Sequence, residues 1–349
     1  MSKLNILMIG AGRNVQGGVS TVVNQYYTAG LDTLVNLQYV PTMLDGSKAK
    51  KLKTAFKAYI QFSKLINYAD IVHVHMSHRA SFFRKKHFID LAYKRGKKII
   101  IHLHGSEFDV FYEKECNSKQ RKMVKDTFGK ADAVIALSEE WRDWLLKICP
   151  REKIKVLYNA INLPKFKREA YEDKNVLFLG RLGKRKGTYD LLEAIPGVLK
   201  VVPDAKFFLG GDGDVEECKK IVCDKHIENA VSFLGWITPG NGKEEYLEKC
   251  STFILPSYHE GMPMSILEAM SYGEIVISTY VGGIPKVIEN GINGYLVEAG
   301  DVHSITDILI SVLTEENRLQ IGERAYDTIE ENFNAKKNID KLIDIYNEI

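Results

Sequence analysis

Short apolar runs alternate with amphipathic stretches along the whole chain. In the first half the runs fall at residues 4–9, 71–74, 99–103, 133–137 and 154–157, and in the second at 176–179, 206–209, 231–234, 252–255 and 275–278. Uninterrupted runs of this length read as strands buried on both faces by intervening helices. The pattern predicts an α/β chain of two Rossmann-like, doubly wound domains facing a cleft, with the ligand at the carboxyl ends of the strands. Residues 164–175 are polar and charged without periodicity and read as the linker. The expected domains are therefore 1–165 and 166–331. In the tail, 332–349, Ile339, Leu342, Ile343, Ile345 and Tyr346 mark a last helix. A length of 349 residues also exceeds one comfortable core.

The stretch from Cys250 to Gly273, CSTFILPSYHEGMPMSILEAMSYG, carries the densest signal. An apolar strand stops at Pro256 and passes through a glycine loop into a helix, with Pro263 suited to the first helical turn and Gly273 to the position past the end. A helix start of this kind leaves free N–H groups that, with the helix dipole, attract phosphate. Glu260 and Glu268 flank it. Carboxylates accept hydrogen bonds only, so beside an anion site they suit sugar or ribose hydroxyls. The spacing alone is equally that of two solvated helix carboxylates.

Composition changes this picture little, whereas charge distribution changes it considerably. Hydrophobic content of 45% and charged content of 27% are those of an ordinary globular protein. Residues 1–165 hold 28 Lys and Arg against 14 Asp and Glu, a net of +14, while the remainder is net −11. A basic first half implies an anionic surface or ligand, membrane phospholipid or nucleic acid being the usual candidates. The opening residues do not resemble a signal peptide and no run approaches the ~20 residues that span a bilayer, so a cytoplasmic protein is expected. Five scattered cysteines lack a C-x-x-C pair and indicate reduced thiols with neither disulfide nor zinc.

Other candidates lie at predicted strand ends. Gly10-Ala11-Gly12 and Gln16-Gly17-Gly18 follow the first strand, but Val15 stands where a dinucleotide fingerprint needs its third glycine. By its residues alone the Gly17-Gly18 loop reads as a plain tight turn. Arg181 and the string Lys184-Arg185-Lys186-Gly187 follow the first strand of the second half and suit a diphosphate. His102 and His104 alternate onto one face, His104 at the carboxyl tip; His73 and His75 form a similar pair on the preceding strand, with no metal spacing linking the two pairs.

Glu260-Gly261-Met262-Pro263 followed by Leu267-Glu268-Ala269-Met270 and Gly273 resembles the E-x7-E signature of retaining nucleotide-sugar glycosyltransferases of family 4, which have the GT-B fold. Further pieces repeat that family's order: the G-R-L of 180–182 and K-G of 186–187, Asn159, Gly210-Gly211-Asp212-Gly213, Phe233-Leu234-Gly235, Gly282-Gly283-Ile284-Pro285 and Asn290-Gly291. The resemblance implies that Glu260 and His104 contact the transferred sugar, Glu268 the ribose, and Arg181 and Lys186 the leaving diphosphate. It places Gly17, Gly18, Gly261, Met262 and Pro263 along the donor, and the last helix against the first domain. It also implies a metal-independent reaction with no cofactor, in which a hexose-type sugar passes to a hydroxyl. Lys286 departs from the family, which usually has an acidic residue there. A sugar-nucleotide epimerase of the same fold and a non-catalytic partner subunit are the alternatives; the complete set of Glu260, Arg181, Lys186 and Glu268 speaks against the second.

Residues 48–67 and 84–98 complete the reading. In the first, Leu52, Phe56, Tyr59, Ile60 and Ser63 recur at three- and four-residue spacing among lysines, a basic amphipathic helix that either packs this stripe on its own sheet or lies on an anionic bilayer. With the charge excess, the expectation is peripheral attachment to the inner face of the cell membrane, a polyprenyl-linked saccharide as acceptor, and no nucleic acid.

Overall fold

A computed structural model describes residues 3–349 except 106, 167, 239, 316 and 317. The chain forms two compact units, Met1–Asn162 with Ala335–Ile349, and Leu163–Asn334. In the first, strands β1 (Asn5–Ala11), β2 (Asn36–Met43), β3 (Ile71–Met76), β4 (Lys98–Leu103), β5 (Ala133–Ala136) and β6 (Ile154–Val156) make one parallel sheet in the order β2-β1-β3-β4-β5-β6. In the second, β7 (Asn175–Leu179), β8 (Lys206–Gly210), β9 (Val231–Gly235), β10 (Thr252–Leu255), β11 (Ile275–Thr279) and β12 (Tyr295–Val297) are parallel in the order β12-β11-β10-β7-β8-β9.

Each order reverses once. In the first sheet the direction of winding changes between β1 and β3, and in the second between β7 and β10. A crevice opens at the carboxyl ends of the strands at such a switch point. The central strands are buried throughout, as in β3 and β11, which explains why their apolar runs show in the sequence. β2 and β12 do not show there. β2 is an edge strand with alternating exposure and an internal Pro41, and β12 has only three residues.

Residues 164–175 are not a loose linker. Arg168 Nη2 donates to the carbonyls of Leu247 and Cys250, each at 2.7 Å, and Arg318 Nη1 donates to the carbonyl of Asp173 at 2.8 Å. Two buried guanidinium groups thus fasten the segment to the second unit, while Lys165, Glu169 and Glu172 along it face solvent. The last helix, Ala335–Glu348, packs Ile339, Leu342, Ile345 and Tyr346 into the first unit, against the helix Gly18–Thr28 among others.

The helix Lys48–Leu65 corrects one of the two readings of its stripe. Ala58 and Phe62 face the core, whereas Leu52, Phe56, Tyr59 and Ile60 are exposed, Leu52 by 74% and Phe56 by 66%. The stripe therefore does not pack on the sheet. In the helix Ala80–Lys94, Phe82, Phe88, Ile89 and Ala92 are buried. No helix among the described residues is long and apolar enough to cross a membrane. The five cysteines are free, and only Cys223 is exposed.

Candidate active site

The β7/β10 switch point gathers the charged residues of the second unit. After β7 the chain turns through Gly180 and Arg181 into a short 3-10 turn, Lys184–Lys186, and then the helix Thr188–Val201. After β10 it runs through residues 256–263 into the helix Met264–Ser271. Backbone bonds lace the two loops together: Tyr258 N donates to Arg185 O at 2.9 Å, and Arg185 Nη1 donates to His259 O at 3.0 Å. Gly187, at φ +68°, lies so close that a Cβ would stand 1.9 Å from Pro256 O. Arg185, which matches no motif position, thus fastens the loop.

This lacing brings Lys186 onto Glu260. The two form an ion pair with side chains 13% and 6% exposed, and Ser257 Oγ donates to the same carboxylate at 2.7 Å. Both bonds end on Oε1, leaving Oε2 of Glu260 with no bond among the described residues. The loop is supported from β11: Thr279 Oγ1 donates to Ser257 O at 2.7 Å, and Gly283 N donates to Gly261 O at 2.6 Å. Gly282, at φ +57°, passes so near that a Cβ there would stand 2.1 Å from Glu260 O.

Glu268 sits one turn and a half along the following helix, nearly buried, and pairs through Oε2 with Lys243 Nζ at 2.5 Å. Lys243 opens the helix Lys243–Lys249, and nothing in its sequence context singled it out. Pro263 caps the Met264–Ser271 helix from outside rather than standing in its first turn, and no side chain caps that end. Ile266 N donates back to Pro263 O at 3.2 Å, and the amides of Met264 and Ser265 have no acceptor among the described residues, which leaves them able to meet an anion. Gly273, at φ +72°, follows the helix end. Met262 is buried and Lys286 exposed. Arg181 is exposed and makes no ion pair or side-chain hydrogen bond among the described residues. The structure thus joins Lys186 to Glu260 and separates Arg181 as a free cation.

In the first unit, Gly17 and Gly18 follow β1 and open the helix Gly18–Thr28. Gly17 has φ +137°, and a Cβ on either glycine would meet nothing within 4 Å, so their backbone borders open space. Histidines end β3 and β4. Register pairs His75 with His102, and alternation places His73, His75, His102 and His104 on one face. His75 Nδ1 lies 2.8 Å from His104 Nε2, His73 Nε2 lies 3.2 Å from His102 Nδ1, and His73 Nδ1 lies 2.7 Å from Tyr346 Oη. The two bonded pairs stack on each other, His73 over His75 at 4.6 Å and His102 over His104 at 4.2 Å between ring centres.

The sequence offered no link between these pairs; the adjacent strands supply it. One nitrogen from each of His73, His75 and His102 falls within 4.8 Å of the others, the spacing of metal ligands. Both nitrogens of His73 are, however, already bonded to Tyr346 and His102. Burial pushes the imidazoles of His73 and His104 down to about 3 and those of His75 and His102 well below their usual value. The four rings are neutral at physiological pH. Lys85, buried near them, is pushed down to about 7 by desolvation first and Arg84 second.

Comparison with known proteins fits this arrangement. Residues 161–328 match the family described as glycosyl transferases group 1, and residues 19–165 match glycosyltransferase family 4. The chain belongs to glycosyltransferase family 4 and has the GT-B fold. It is similar to the N-acetyl-alpha-D-glucosaminyl L-malate synthase of Bacillus anthracis, 29% identical over 80% of this chain and 75% of that protein. It is also similar to the UDP-Gal:alpha-D-GlcNAc-diphosphoundecaprenol alpha-1,3-galactosyltransferase of Escherichia coli, 28% identical over 90% of this chain and 84% of that one. Among solved structures, Anabaena HepE in complex with UDP superposes with a TM-score of 0.77 at 17% identity, covering 99% of this chain and 100% of that one. The protein is an enzyme, a glycosyltransferase.

Proposed function

We propose that this glycosyltransferase moves a hexose-type sugar, with retention of anomeric configuration, from a nucleotide-diphosphate sugar to a hydroxyl of a polyprenyl-linked saccharide in the synthesis of a polysaccharide or glycan. The observation that carries the reading is the Lys186–Glu260 pair at the β7/β10 switch point, beside the uncapped start of the Met264–Ser271 helix. It sets a cation, a carboxylate and free amides side by side, the groups needed to hold a sugar diphosphate. The E. coli relative is named for a UDP-sugar and a diphosphoundecaprenol-linked acceptor, and HepE for UDP, which agrees with this chemistry.

The residues then divide the work. Glu260 Oε2 accepts from sugar hydroxyls while Oε1 stays on Lys186 and Ser257. Glu268 Oε1 accepts from the ribose diol while Lys243 holds Oε2. Arg181, Lys186 and the helix amides meet the charge that grows on the diphosphate as the glycosidic bond breaks, and this positioning and charge stabilisation is the protein's contribution. Gly17 and Gly18 let backbone approach the diphosphate, and His104 bonds the sugar. The acceptor hydroxyl attacks on the face the diphosphate leaves, and the departing diphosphate takes its proton. The two side-chain cations replace a divalent metal in this scheme.

The exposed stripe Leu52-Phe56-Tyr59-Ile60, flanked by Lys50, Lys53, Lys57 and Lys64, supports peripheral attachment to the anionic inner face of the cell membrane. Each Lys or Arg near such a surface contributes about 1 kcal/mol, so a handful is enough for salt-sensitive adsorption. Anionic vesicles should sediment the protein at low salt, and Leu52→Ser with Phe56→Ser should weaken this; equal binding to neutral vesicles would exclude it. The decisive assay measures nucleotide release from UDP-sugars, with and without a lipid-diphosphate saccharide and EDTA. Acceptor-dependent release that survives EDTA supports the reading. Interconversion of the nucleotide sugar without acceptor would make it an epimerase.

A further inference from the structure

We propose that His75 is a positioning residue that fixes the tautomer of His104: it donates Nδ1–H to His104 Nε2, so that His104 presents Nδ1–H to an oxygen of the bound sugar. The role rests on the reading of His104 as a sugar contact, whereas the tautomer rests on the structure alone.

The argument is one of hydrogen-bond accounting. A neutral imidazole has one N–H and one lone pair. The two nitrogens 2.8 Å apart must therefore be one donor and one acceptor. His75 Nε2 is buried with no hydrogen-bond partner. If it carried the proton, an N–H would be stranded in the core, and orphaned buried N–H groups are rarer and costlier than unused acceptors. The proton of His75 therefore sits on Nδ1, and His104 Nε2 accepts. His104, half-buried at the strand tip, is left with its own proton on Nδ1.

The second pair is different: His73 Nε2 and His102 Nδ1 share one proton and His73 Nδ1 bonds Tyr346 Oη, and in either direction one buried hydrogen, that of His102 Nε2 or of the tyrosine hydroxyl, lacks an acceptor among the described residues, so the count fixes no direction there. Stacking of the two pairs holds both chains in place. Desolvation, the mutual repulsion of the rings and the charge of Lys85 all disfavour a second proton on His75, so the donor stays neutral across the physiological range. Because His75 Nε2 is buried without a partner, the polarity of the His75–His104 bond is set by packing rather than by the ligand.

The test begins with the intact wild-type protein. Long-range 1H–15N correlation of its histidine rings, assigned by single substitution, should show His104 with a pyrrole-type Nδ1 and a pyridine-type Nε2. A protonated Nε2 on His104 would overturn the proposal, whatever the kinetics show. His75→Asn keeps an N–H donor near the place of Nδ1 and should hold kcat/KM within a few-fold, whereas His75→Phe should lose about tenfold, roughly the worth of one hydrogen bond. Equal kinetics for His75→Asn and His75→Phe would overturn the positioning role. If the spectrum shows Nδ1–H but His104→Phe retains full activity, the sugar-contact reading fails and takes the positioning role with it.

Discussion

Lys186 Nζ is bonded to Glu260 Oε1 across the point where the second sheet reverses its winding, although 74 residues separate them in the chain. The pair makes each residue the support of the other. Lys186→Ala should leave a nearly buried carboxylate with only Ser257 to bond it. Removing one partner of a buried pair costs about 3 kcal/mol, and loss of a cation facing the leaving group lowers kcat roughly 10²- to 10³-fold. Thermal melts and steady-state kinetics of Lys186→Ala check both. Arg181→Ala, which breaks no internal bond, should lower kcat comparably with little change in Tm.

Glu268 and Lys243 should behave as a unit in nucleotide affinity. Glu268→Ala is expected to raise donor KM more than Glu260→Ala, because the proposed function gives Glu268 the ribose and Glu260 the reacting sugar. Lys243→Ala frees Glu268 to move and should raise donor KM in the same direction. A double-mutant cycle on KM checks the coupling; strict additivity would separate the two residues.

Acid should weaken the first unit. His73 and His104 are held near 3, and burial pushes His75 and His102 well below their usual value, against 6.5 in an unfolded chain. Below about 6.5 the unfolded state therefore binds more protons, so stability is present above that pH and lost as pH falls toward 3. Each histidine contributes at most about 1.4 kcal/mol per pH unit in that window. Urea unfolding followed by Trp141 and Trp144 fluorescence in a Trp236→Phe background should show the midpoint dropping between pH 7 and 4. Removing one ring with His73→Phe should flatten the slope.

Gly282→Ala should damage the site without touching a charged residue. Its Cβ would sit 2.1 Å from Glu260 O at a backbone φ of +57°, so the Glu260 loop must shift. A cost of roughly 1–3 kcal/mol is expected from the strain and displacement, along with a fall in kcat/KM. Gly291→Ala, also at positive φ but with nothing within 4 Å, is the control: it should cost stability and leave the kinetics unchanged.

The features legible in the order of residues are local. The central strands are buried on both faces and so appear as apolar runs, and the loop-to-helix passage around Pro263 is written in its glycine and proline positions. These features were enough to identify the α/β class, and the order of Glu260, Glu268, Arg181 and Lys186 was enough to nominate them as candidate site residues. Which charges meet is settled by the folded arrangement of the strands. Lys186 finds Glu260, and Lys243 finds Glu268, because strand order brings distant loops to one crevice, and strand order is a property of long-range pairing. The same reason hides the histidine quartet: two H-x-H strings become one bonded array only in the register of β3 beside β4. Exposure of the Leu52-Phe56 stripe was equally undecidable from spacing, since a helix with apolar residues on two faces does not say which face the sheet will take.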